Sequence, residues 1–188
     1  MKHADSLPGG EYLFSYGANL NPEQVDARCS RAVVVATARL SGFRLEFYGY
    51  SRIWDGALET AQPHPGGEIW GVIYRLGFRD RESLDLWQDA RLDGAGTYFH
   101  YPVTVTAGDT VYSAVMYRKD LLGVPRPPSC EYLDFIARGA EIRGLPPDYC
   151  AELRRIPAVP AGYAVPRQKS FGRIVEPVAD CSLCGTEP

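Results

Sequence analysis

The residues best suited to chemistry lie in Tyr12-Leu-Phe-Ser-Tyr-Gly-Ala-Asn-Leu20 and the Asn21-Pro22-Glu23 that follows. The first five alternate with aromatics and read as a buried strand. Gly17 and Asn19 then tolerate backbone angles closed to branched residues. Asn21 is suited to cap a helix, with Pro22 at its first position and Glu23 in its first turn. A strand running through a tight turn into a helix N-terminus aims several backbone N–H groups one way. Such a bend suits a carboxylate or a developing oxyanion. It also suits a plain β-to-helix turn, and spacing alone leaves both readings open. A second polar feature is Gln88. On a helix from Asp80 to about Ala90, residues Leu84, Trp87, Gln88 and Arg91 share one face, with Asp85 and Asp89 on the next. An amide buried there without partners costs about 1–3 kcal/mol. Gln88 therefore either bonds a neighbouring backbone group or points into a pocket, while Trp87 reads as core.

Composition narrows the rest. The 188 residues suit one domain with a sizeable core, and 45% apolar content is ordinary for a globular chain. Twelve tyrosines are unusual, and several suit the wall of a partly polar pocket. A net charge of −3 and the lack of a basic run argue against nucleic acid as a partner. No apolar run approaches the ~20 residues of a membrane span, and the first ten residues lack a signal peptide's apolar stretch. The expected location is cytoplasmic. Five cysteines (Cys29, Cys130, Cys150, Cys181 and Cys184) form no disulfide framework. The Cys181/Cys184 pair would need two more ligands to hold zinc, and His3, His64 and His100 have no ligand spacing. Neither a metal nor a cofactor is expected.

The elements that must position these residues follow in order. A helix is expected from Asn21 to about Cys29. Strands are expected at Ala32–Ala36 and Phe43–Phe47, with a turn at Gly42. Another pair is expected at Ala57–Ala61 and Glu68–Leu76, separated by the strong turn signal Pro63-His-Pro-Gly-Gly67. Gly71 marks a bulge or a close approach to the backbone. Asp80 is expected to cap the Gln88 helix. Thr97–Thr106 and Thr110–Tyr117 read as strands joined at Gly108-Asp109. Ser129 caps a helix that Gly144 ends, and Pro146-Pro147 opens another to about Ile156. Beyond Pro157 the chain is rich in Pro and Gly and is expected to wrap the surface or hang partly loose. The fold class is α+β, a small bent β-sheet or barrel with flanking helices.

With these pieces placed, residues 12–156 resemble the γ-glutamylcyclotransferase family. The family's Y-G-S-N-L loop is similar to Tyr16-Gly-Ala-Asn-Leu20, and its A-x-L-x-G/D-F-x-L-x-F segment to Ala38–Phe47. Its W-G-V-V/I strand resembles Trp70-Gly-Val-Ile73, and its L-D-x-x-E-G helix resembles Leu84–Asp89. Pro128-Ser-Cys-Glu-Tyr132 and Gly144-Leu-Pro-Pro-Asp-Tyr149 complete six motifs in the family's order. The resemblance implies a γ-glutamylcyclotransferase-like domain over residues 11–156 with a Pro/Gly-rich extension over 157–188. It implies a closed or nearly closed barrel and a small-molecule γ-glutamyl substrate, with a homodimer left open. The implied reaction is attack of the substrate's own α-amine on its γ-carbonyl, giving 5-oxoproline and a free amine. Tyr16, Gly17, Ala18, Asn19 and Leu20 are implied to hold the glutamyl head, while Tyr98, Tyr117 and Tyr132 line the pocket.

The sequence departs from the family where the chemistry matters most. The proton-transferring Glu falls at Gln88, an amide that cannot act as acid or base near neutral pH. Three explanations stand: a substitution introduced to trap substrate, a protein that binds without catalysis, or transfer by Asp85, Asp89 or Asp93. A γ-glutamylamine-specific member of the family is a further reading. Ala18 replaces the loop serine, and Arg91–Gly96 is longer than the family pattern. Asp55 and Glu59 follow Trp54 in a region that can border the family's pocket, and Asp55 reads as a solvated loop charge.

Overall fold

The computed structural model describes residues 2–4, 11–91 and 93–167. Its strands are β1 (Lys2–His3), β2 (Glu11–Ser15), β3 (Val33–Ser51), β4 (Gly56–Leu76), β5 (Phe99–Ala107) and β6 (Thr110–Arg118). Its helices are α1 (Pro22–Asp26), α2 (Phe78–Gln88), α3 (Cys130–Ile142) and α4 (Pro147–Arg154), and a 3-10 turn covers Ala18–Leu20. Strands run β1-β6-β2-β4-β3-β5, and β5 pairs back with β6. Strands β2 to β6 thereby close a mixed barrel, with β2 parallel to β6 and antiparallel to β4. Closure removes the open sheet edges. The α+β barrel class expected from sequence is the one observed.

The long β3–β4 ribbon corrects the reading of four short strands. Ser41 faces Glu68 and Phe43 faces Pro63, so Gly42 (φ +82°) lies opposite His64–Gly67. Two breaks opposite each other bulge the ribbon without reversing either strand. The prolines sit at exposed positions on this stretch, where a missing donor is tolerated. Gly71 is a close approach: a Cβ there would strike the Phe14 ring at 2.8 Å and the Ser15 carbonyl.

Helix ends follow the expected chemistry with one exception. Asn21 Oδ1 accepts from the Glu23 N–H, and Ser129 Oγ accepts from the Tyr132 N–H. Helix α1 is shorter than expected, and Asp80 is not a cap. Gly77 precedes α2 without a side-chain cap. Buried Asp80 instead reaches across to accept the Ser30 and Arg31 N–H groups at 2.9 and 3.0 Å. Residues beyond Pro157 bond to the domain, Val159 to Pro128 and Cys130, and Gly162 to Asp55. Cys181 and Cys184 lie outside the described residues. Among those described, no His/Cys/Asp/Glu group could hold a metal, and no helix is long and apolar enough to cross a membrane.

Candidate active site

The Gly17–Asn21 bend is fixed from three sides. Beneath it, Tyr74 donates its hydroxyl to the Asn19 carbonyl at 2.9 Å, and Arg143 bonds both that hydroxyl and the Leu20 carbonyl. Beside it, Gln24 holds the Asn19 side chain at 3.1 Å. Over it lies α3, with Asn21 Nδ2 donating to the Phe135 carbonyl at 3.0 Å. The Leu20 and Asn21 N–H groups turn back onto the Gly17 and Ala18 carbonyls. The Ala18 N–H points away from these bonds and donates to a carboxylate, Glu59 Oε1, at 3.1 Å. The bend therefore does hold an anion, and the anion is the protein's own.

Glu59 comes from the start of β4, four residues in. Ala57 and Ala61, two residues to either side, share its face of the strand and leave it room. Its Oε2 accepts the Tyr132 hydroxyl, and its backbone carbonyl accepts the Tyr98 hydroxyl at 2.9 Å. Burial pushes its carboxyl above the ordinary value of 4.5, against the bonds from Tyr132 and the Ala18 amide and the charge of Lys119. The close fit depends on Gly17, since a Cβ there would overlap the carboxylate.

An open cleft of about 480 Å³ passes Trp54, Trp87, Gln88, Tyr98, Lys119 and Tyr132. At Gln88 and Tyr98 it meets a small inner recess of about 10 Å³, room for one water-sized group, walled by Tyr16, Gly17, Asn19, Glu59 and Tyr117. Ala18 lines the outer cleft. Of the residues expected at the site, these walls bring together Tyr16, Gly17, Ala18, Asn19, Gln88, Tyr98, Tyr117 and Tyr132. Leu20 lines neither space. Its side chain is fully buried in the core, so it anchors the bend from behind. Ser15 Oγ lines the recess, buried and without a hydrogen-bond partner among the described residues. Such an orphan suits a polar ligand.

The tyrosines bond protein groups. Tyr16 donates to the Tyr117 carbonyl and accepts from the Ala61 N–H, locking the bend to the barrel wall. Tyr117 donates to Asp85 Oδ1 at 2.6 Å. The aspartates weighed as substitutes are committed elsewhere. Burial raises Asp85, but His100 at 2.7 Å, Tyr117 and Arg81 outweigh it and hold the carboxyl low. Asp89 (φ +52°) ends α2 and accepts the Thr97 N–H and hydroxyl, both at 2.9 Å. Asp93 is exposed and pairs with Arg91 at 2.8 Å. Trp87 is half-buried in the cleft wall with Arg28 stacked 3.5 Å from its ring centre, not in the core. Asp55 is half-buried, bonded to Tyr50 and Gly162.

Sequence reasoning left Glu59 at the border of the pocket and gave no role to Ser15 or Lys119. The available signal for Glu59 was parity: an acid flanked by alanines two residues away inside an apolar strand.

Comparison with known proteins finds relatives of the whole barrel. The AIG2-like family model matches residues 68–153. The γ-glutamylcyclotransferase of Bos taurus is 32% identical over 160 residues, covering 80% of this chain and 81% of that one. The Homo sapiens γ-glutamylcyclotransferase is 31% identical, covering 76% and 77%. A solved γ-glutamyl cyclotransferase superposes with a TM-score of 0.76 at 29% identity, over 83% of this chain and 93% of its own. A barrel whose Tyr16–Leu20 bend faces position 88, in a chain with relatives of this identity and coverage, belongs to the γ-glutamylcyclotransferase family of enzymes.

Proposed function

We propose that this chain cleaves a γ-glutamyl amide or peptide without water, the substrate's α-amine displacing the γ-amide nitrogen to give 5-oxoproline and a free amine. The tethered nucleophile makes the entropic part of the barrier small. The observation that carries the reading is the recess itself, where the Gly17–Asn19 bend, residue 88 and Glu59 meet. With the Ala18 amide given to Glu59 and the Leu20 and Asn21 amides turned back on the bend, the orphan Ser15 hydroxyl is the group suited to a polar atom of the glutamyl head. The wider cleft past Trp54, Trp87 and Lys119 suits the leaving amine.

Gln88 keeps the shape of the family's acid and a carbonyl acceptor, so its role is to orient substrate, not to move a proton. That favours a second reading, a homologue that binds a γ-glutamyl group and releases it unchanged or very slowly. Release of 5-oxoproline from a panel of γ-glutamyl peptides and amines, compared between the chain and Gln88→Glu, separates the two. A slow or binding-only protein gains about 10²–10⁴ in rate from the restored carboxylate. Turnover by the chain as it stands supports the enzyme. If neither protein releases 5-oxoproline from any substrate, the cyclotransferase reading fails.

A further inference from the structure

We propose that Glu59 is the proton-transfer residue of this enzyme, its carboxylate moved from the helix wall of the recess at position 88 to the strand wall opposite the bend. The inference rests on the cyclotransferase reading above. Both side chains line one recess. Of the aspartates weighed as substitutes, none lines the recess, and Asp85, Asp89 and Asp93 are held by His100 and Tyr117, by Thr97, and by Arg91. Glu59 is the acid that faces the bend, buried to 4% exposure and in contact with the Ala18 amide.

Its bonds orient it without exhausting it. Oε1 takes the Ala18 N–H and Oε2 the Tyr132 hydroxyl, and each oxygen retains a second lone pair for an incoming ammonium. The ionised carboxylate takes one proton from the substrate's α-ammonium. The freed amine pair forms the ring C–N bond at the γ-carbon, and the carbonyl electrons move to oxygen. As the oxyanion re-forms the carbonyl, Glu59 returns that proton to the leaving nitrogen and its bond to carbon breaks; the carboxylate then carries the ring nitrogen's surplus proton to the departing amine, which leaves as an ammonium, so no water or further reactant is consumed. The groups facing Glu59 are Tyr16, Tyr98 and Tyr132, all held neutral by burial and by its charge, and the buried Lys119. An acid raised above 4.5 by burial lies nearer working pH, where one group serves well as both base and acid.

The test compares four proteins: the chain, Glu59→Gln, Gln88→Glu and the double variant, each assayed for 5-oxoproline release across pH. Thermal melting checks that each is folded. We expect Glu59→Gln to lose about 10²-fold or more in kcat/KM and to lose the acidic limb of the pH profile. The double variant, with a carboxylate back on the helix wall, recovers at least about tenfold of that loss. An unchanged rate in Glu59→Gln, or an acidic limb that persists, overturns the assignment. So does an inert chain that Gln88→Glu revives, although the cyclotransferase reading then survives. Four folded but inert proteins sink that reading and this inference with it.

Discussion

Gly139→Ala tests whether α3 positions the bend. In an unobstructed helix interior this change stabilises by about 0.5–1 kcal/mol, because glycine loses more backbone freedom on folding than alanine. At Gly139 the new methyl would lie 2.4 Å from the Asn21 nitrogen and 2.7 Å from Asn21 Cα. Ordinary contact begins at 3.4 Å, so 3.4 − 2.4 leaves about 1.0 Å for helix and bend to part. Both opposing atoms are backbone and cannot swing aside. Overpacking of this kind costs about 1–3 kcal/mol. Against the propensity gain, the net is a loss of about 1 kcal/mol, or a fall in Tm of about 2–4 °C for a chain this long. Parting also strains the Asn21–Phe135 bond and shifts the Ala18 amide against Glu59. A misplacement approaching 1 Å costs up to about 10²-fold in rate. Paired thermal melts and 5-oxoproline release read both effects. A raised Tm with unchanged kcat/KM would show that α3 does not press on the bend, and the positioning argument would fail.

Three further outcomes follow from the charges. Burial raises the folded-state pKa of Glu59, so its ionisation destabilises the fold as pH rises through that value. Glu59→Gln should therefore melt above the native chain at pH 8, the gap closing as pH falls toward 4.5; a gap that widens in acid contradicts this. Asp85 has its pKa lowered in the fold, so its contribution is present above the ordinary 3.8 and is lost as pH falls through the lower folded value. Asp85→Asn should cost stability at pH 7 but not in strong acid, with a smaller loss of kcat/KM than Glu59→Gln; an equal loss would make Asp85 the better proton carrier. Asp80→Ala orphans the Ser30 and Arg31 N–H groups, costing about 1–3 kcal/mol. A denaturant titration should show that loss with kcat/KM unchanged, and a large rate defect would mean that this link also shapes the cleft.

Local rules made some elements legible and misled at others for definite reasons. The Asn21 and Ser129 caps were readable because one side chain and the helix's first turn decide a cap. The Gly108-Asp109 hairpin was readable because its turn lies between two alternating strands. The β3–β4 ribbon was not. Gly42 and Pro63–Gly67 are each sound break signals, and only the pairing of one against the other turns two breaks into a shared bulge. Asp80 was misplaced for a similar reason, since its partners, Ser30 and Arg31, lie about 50 residues away.

The site divides along the same line. The bend and Gln88 were legible because motif order fixes them, but motif order says only where the family keeps its acid. It cannot say where a carboxylate arrives when that position changes. The chemistry asks for a proton carrier within reach of the α-amine, not for a particular element to carry it. A barrel strand and the helix beside it both open onto the recess, so either wall can meet the demand. On the strand wall the requirements are an inward register, small neighbours at Ala57 and Ala61, and no Cβ at residue 17. All are present in the sequence, yet they become one requirement only after β4 and the bend are folded together. Gly17, which reads as a turn residue, is then also the residue that makes room for the acid.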